Sequence, residues 1–264
     1  MNNRAQLKLF LVLKIFILIS ALFFSGRYIQ SKFDIIYKWS GFLPDRIHIF
    51  PKIIDRRPQV YTLVSMPENN VDAECGSALI IGDSIAYGYL PYLRENLKMK
   101  YNIYMIPDNG RSTSYSLKRI DQWLESKSYD LILANWGLWD ILRLDLPFPN
   151  KIIDQSTFIV TSQQDYAFNL ELLHQKLTKY SDNISFINTT PTLLNKVRKP
   201  EDVKAYNETM KNFSELHAVE LIDLFSFAKI NIGQELYIDK VHFNKVGSQK
   251  IARYISGQLP DCKR

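Results

Sequence analysis

The sequence predicts a three-layer α/β fold, a parallel sheet of about five strands with helices on both faces, and three observations carry that prediction. Short apolar runs recur at residues 78–81, 103–106, 131–134, 184–187 and 221–225. They are continuous rather than alternating, as in strands buried on both sides. Between them lie stretches with helical spacing: Leu90, Leu93, Leu97; Leu117, Ile120, Leu124; Leu170, Leu173, Leu177; Val203, Tyr206, Met210, Phe213; and Ile251, Ile255, Leu259. Strands alternating with helices build a parallel sheet, whose ligands sit beyond the carboxyl ends of the strands where strand order reverses. At 264 residues and 46% hydrophobic content the chain can fill about one domain core.

The regular pattern starts only at Cys75. Residues 9–24 are almost wholly apolar, interrupted by Lys14 and preceded by Arg4 and Lys8. That is a signal peptide or a membrane anchor. No two small residues separated by one intervening residue stand among Ser20, Ala21, Ser25 and Gly26, so the expectation is an uncleaved transmembrane helix over residues 1–26 with the remainder outside the cytosol. Residues 27–74, with Pro44, Pro51, Pro58 and Pro67, read as a stalk near the membrane. Tyr37 and Trp39 in it are interfacial anchors or ordinary packing residues. The domain proper is expected over residues 75–264. Cys75 and Cys262 bracket it; they form either a bridge, worth about 4 to 5 kcal/mol for so long a loop, or two free thiols.

The net charge of +6 is spread without a run of five basic residues, so no nucleic-acid partner is expected. The text contains no HExxH, paired CxxC or GxxxxGK, and neither a metal nor another cofactor is expected. The inserts at 138–162 and 193–199 interrupt the alternation and are expected to rim the site.

The stretch that organises the chain is ALIIGDSIAYGY, residues 78–89. Four apolar residues run into Gly82, Asp83 and Ser84, which puts a serine where a buried strand gives way to a loop. A serine hydroxyl is a weak nucleophile until a base, oriented by a third group, takes its proton. IDKVHFNKVG, near the far end, supplies both: His242 as base and Asp239, three residues earlier, as its orienting partner. His174 and His217 stand in helical text and His48 in the stalk, where surface or capping roles are expected.

With a Gly-Asp-Ser turn after strand one and a DxxH near the C-terminus, the chain resembles the SGNH, or GDSL-type, serine hydrolases over roughly residues 75–259. The resemblance implies a flavodoxin-like strand order and three oxyanion donors: the Ser84 amide, the Gly110 amide after strand two, and an asparagine side chain after strand three. Many members read GxND at that third block. Here the block is NWGLWD, with Trp139 at the asparagine position, so the role passes to Asn135. Tyr87, Trp136 and Trp139 are candidate substrate-binding aromatics, with plain packing as the alternative. The absence of a GxSxG frame argues against an α/β-hydrolase.

The expected function is a membrane-anchored serine esterase that removes O-acyl groups, foremost O-acetyl, from a small-molecule or glycan substrate at the cell surface or in the periplasm. The open alternatives are an O-acyltransferase with the same triad, a lipase or lysophospholipase, and a non-catalytic binding protein that keeps the fold. The oligomeric state stays open.

Overall fold

A computed structural model of the chain describes residues 73–124, 127–144 and 158–259. The expected anchor, all but the last two residues of the expected stalk, and Cys262 lie outside the described residues. Five strands form one sheet: β1 (Ser77–Ile81), β2 (Asn102–Met105), β3 (Leu131–Asn135), β6 (Ile184–Ile187) and β7 (Glu220–Ile222). Their spatial order is β2-β1-β3-β6-β7 and every pairing is parallel. This is the flavodoxin-like order, with its reversal point between β1 and β3.

Successive strand side chains point to opposite faces, and all five residues of β3 are buried. Both faces of the sheet are therefore covered. One group of helices comprises α1 (Ser84–Leu97), α6 (Leu224–Asn231) and α7 (Lys245–Gln258), with α7 packed on both others. A second comprises α2 (Thr113–Leu117), α4 (Gln163–Leu177) and α5 (Pro200–His217), with α4 packed on α2 and α5. The short α3 (Ile120–Leu124) follows α2.

Two expectations change in detail. The apolar run 221–225 is split: its strand ends at Ile222, and Asp223 caps α6 by accepting the Ser226 amide. The insert at 138–162 contributes a two-residue antiparallel ribbon, β4 (Arg143–Leu144) with β5 (Phe158–Ile159). Among the described residues no helix is long and apolar enough to cross a membrane.

Helices α1 and α7 approach closely. A Cβ on Gly88 of α1 would stand 3.3 Å from the Ser248 hydroxyl of α7, and one turn-pair further along the Asn96 amide donates to the Ser256 hydroxyl. A large side chain at Gly88 must push the helices apart. Gly88→Leu is expected to lower unfolding stability by about 1 to 3 kcal/mol, the usual cost of overpacking, with little loss for Gly88→Ala. Denaturant titrations that leave Gly88→Leu as stable as wild type would show that the contact gives way freely.

Candidate active site

Gly82, Asp83 and Ser84 leave the carboxyl end of β1 at the reversal point. Asp83 is the N-cap of α1: its Oδ1 accepts the Ile85 amide at 2.9 Å. Burial pushes the Asp83 carboxyl up, opposed by the Ile85 amide and by the nearby His242 and Arg198 side chains. Ser84, first residue of the helix, keeps a half-buried hydroxyl above the sheet edge. Its amide has no carbonyl one turn back in the helix to bond, as for every helix start.

The segment carrying Asp239 and His242 is pinned from several sides. Tyr237 bridges Phe243, the Ile238 amide donates to the His242 carbonyl, and Val241 and Phe243 are buried. The Leu193 amide donates to the Lys240 carbonyl, and the Tyr237 hydroxyl to the Pro191 carbonyl, so the loop after β6 braces it. Asn244 caps α7 through the Gly247 amide. Within the segment Asp239 Oδ1 accepts the amides of Val241 and His242 at 2.7 and 2.8 Å.

The remaining Asp239 oxygen, Oδ2, stands 2.7 Å from His242 Nδ1, and His242 Nε2 stands 2.8 Å from Ser84 Oγ. Burial raises the Asp239 carboxyl, but the ring of His242 and the amides of His242 and Val241 outweigh it and hold the group down to about 2. An ionised carboxylate has no proton to give, so Nδ1 carries the hydrogen and Nε2 is left to accept from the serine hydroxyl. The three residues thus form one hydrogen-bonded chain across 158 residues of sequence.

The other expected oxyanion donors are engaged elsewhere. Gly110 does lie beside the turn, where a Cβ would come within 3.0 Å of the Gly82 carbonyl oxygen, but its amide donates to that same oxygen at 2.9 Å. Asn135 lies at the carboxyl end of β3, yet its Nδ2 donates to the Ile187 and Asn188 carbonyls at 2.7 and 3.3 Å. It ties β3 to the end of β6. Neither group is free to meet an oxyanion in this arrangement.

The aromatics divide. Trp136 is 1% exposed; its indole donates to the Ser116 hydroxyl and its ring meets Phe186 edge-on. Tyr87 is buried in the core. Both are packing residues rather than a substrate surface. Trp139 is half-buried, with the guanidinium groups of Arg111 and Arg198 both near its ring. Those two arginines went unnoticed in the sequence, where each reads as an ordinary loop cation. His217 stacks on Phe213 and His174 meets the same ring edge-on, in a mixed aromatic cluster. Among the described residues no group of His, Cys, Asp or Glu could hold a metal ion.

The depressed Asp239 carboxyl makes a signed prediction. A carboxyl whose folded pKa lies below its unfolded value, near 4, contributes stability above about pH 4 and loses it as the pH falls toward about 2. Wild type should therefore lose more thermal stability than Asp239→Asn between those pH values. Parallel acid limbs for the two proteins would contradict the assignment.

No family model matches the sequence, and no curated protein matches it. Solved structures do. An acetylxylan esterase from Geobacillus stearothermophilus is similar at 18% identity and a TM-score of 0.56, over 71% of this chain and 97% of that one. A lipase/acylhydrolase from Enterococcus faecalis matches at 18% identity and 0.54, over 71% and 98%. A member of the lipolytic protein G-D-S-L family from Veillonella parvula matches at 19% identity and 0.53, over 70% and 98%. At such identities the likeness is one of fold: the described part of the chain has the SGNH/GDSL hydrolase fold.

Proposed function

We propose that the chain is a serine esterase that removes O-acyl groups, foremost O-acetyl, from a carbohydrate. The observation that carries this reading is the continuous hydrogen-bonded chain Ser84, His242, Asp239 at the reversal point of the sheet. Ser84 Oγ attacks the ester carbonyl while His242 Nε2 takes its proton; the imidazolium is balanced by Asp239. The tetrahedral intermediate develops its negative charge beside the Ser84 amide. Collapse breaks the bond to the alcohol, which leaves with the proton from Nε2. Water then attacks the acyl-enzyme, His242 again accepting a proton, and the acid departs as the proton returns to Ser84.

The carbohydrate part of the proposal draws on the fold neighbours, two kinds of which act on esters by their names, an acetylxylan esterase and a lipase/acylhydrolase. The tether belongs to the same proposal: residues 9–24, with basic residues before them, serve as a retained anchor that leaves the domain outside the cytosol. An alkaline wash of membranes from expressing cells should leave the full-length chain in the pellet, and release of intact chain into the wash would remove the anchor from this picture.

The reaction itself is tested with p-nitrophenyl acetate. Ser84→Ala is expected to lower turnover at least about a thousandfold and to abolish labelling by a fluorophosphonate probe. Equal turnover by wild type and Ser84→Ala would eliminate the proposed nucleophile.

A further inference from the structure

Two guanidinium groups lie beside the Trp139 ring. Arg111 Cζ lies 5.9 Å from the Trp139 ring centroid and Arg198 Cζ lies 5.5 Å from it. They arrive from different loops. Arg111 follows Gly110, whose amide touches the turn before Ser84. Arg198 belongs to the loop between β6 and α5, the one that braces the Asp239 segment.

Neither arginine is placed as a surface cation would be. Arg111 has a left-handed backbone, φ 47°, held by its own amide donating to Asn109 Oδ1 at 2.9 Å. A residue with a long side chain seldom adopts that conformation without a reason. Its side chain packs over the Tyr115 ring at 4.6 Å, and Nη1 is buried with no hydrogen-bond partner. Arg198 is 4% exposed and donates Nε–H to the Leu138 carbonyl at 2.7 Å. Burial lowers this guanidinium to about 10, while Asp83 and Asp239 act in the opposite direction. The Asp83 carboxylate bonds the Ile85 amide and the Asp239 carboxylate bonds Val241 and His242, so they attract Arg198 without capping its fork.

A buried donor without a partner, as Arg111 Nη1 is, is costly unless an anion completes it. Planar forks suit carboxylate and phosphate oxygens, which they bind through paired hydrogen bonds. We propose that Arg111 and Arg198 form a subsite for an anionic oxyacid group, a carboxylate or a phosphate, carried by the substrate near its ester. The substrate class is then an O-acylated acidic saccharide rather than a neutral one. Trp139 lies within cation–π range of both guanidinium groups and helps to hold them in place. The inference rests on the esterase reading for the ester half of the substrate, but the anion subsite is measured without turnover.

Ser84→Ala protein would be titrated calorimetrically with three acetylated probes: a methyl galacturonoside, a galactose 6-phosphate and a neutral methyl galactoside. At least one anionic probe is expected to bind about tenfold or more tightly than the neutral one, the scale of a charge-assisted bond. The two anionic arms tell carboxylate from phosphate. Arg111→Gln or Arg198→Gln in the same background should erase the preference, and raised salt should shrink it even without those variants. Equal binding of all three probes, or a preference that survives both substitutions, would overturn the proposal. So would a pattern in which the arginine variants slow p-nitrophenyl acetate and acidic esters alike with no anion preference in binding, since that is the signature of oxyanion stabilisation. Turnover that persists in Ser84→Ala would harm the esterase reading alone.

Discussion

Everything at this site depends on the contact between α1 and α7. Gly88 faces Ser248, and Asn96 bonds Ser256 at a sequence separation of 160. The first pair has that same separation, since 248 − 88 = 160, and a constant offset means that the two helices run parallel and in register. Continued to the start of α1, the offset pairs Ser84 with Asn244, the cap of α7. His242 lies two residues before that cap. The hydroxyl and the imidazole meet because two helices, far apart in the chain, begin level with each other on one edge of the sheet. Small residues at the seam permit the close approach, and side-chain caps at Asp83 and Asn244 fix where each helix begins.

The second constraint is local. An imidazole can rotate about two bonds, and helix packing alone does not orient it. Asp239 does, because one of its oxygens closes a turn on the Val241 and His242 amides while the other takes the ring. The same carboxylate therefore shapes the backbone and sets the tautomer. Its low pKa reflects that it accepts three hydrogen bonds, which outweigh the burial that would otherwise raise it.

Much of this was legible in the sequence because it is encoded over short distances. Each of the five apolar runs contributes to one strand of the sheet, although the last strand stops at Ile222, and the Gly-Asp-Ser and DxxH segments each carry their own turn chemistry. What was not legible depends on partners distant in sequence. Gly110 and Asn135 fall at the strand ends where the resemblance put them, but whether an N–H faces the site or a neighbouring carbonyl is decided by the Gly82 and Ile187 oxygens, which no local pattern reveals. Trp136 and Trp139 look equivalent in NWGLWD; one turns into the core against Phe186 and the other stays at the edge, and Gly137 between them, at φ 126°, makes the change of direction. The start of α6 did leave a signal. Asp223 interrupts the apolar run 221–225 with a cap residue, and a strand reading of that run overlooks it. Two-residue strands such as β4 and β5 have no periodicity to detect.

The engaged state of Gly110 and Asn135 bears on how the site could work on an ester. Losing one oxyanion donor commonly costs about a hundredfold to a thousandfold in turnover, so an enzyme left with the Ser84 amide alone would be slow unless other positive potential reaches the carbonyl oxygen. The positive end of the 14-residue helix α1 is one such source, since its first amides converge on Ser84. Asp83 works against it, yet its burial disfavours the charged form and its Oδ1 is bonded to the helix it caps. The helix start that fixes where the serine stands therefore also supplies positive potential beside it.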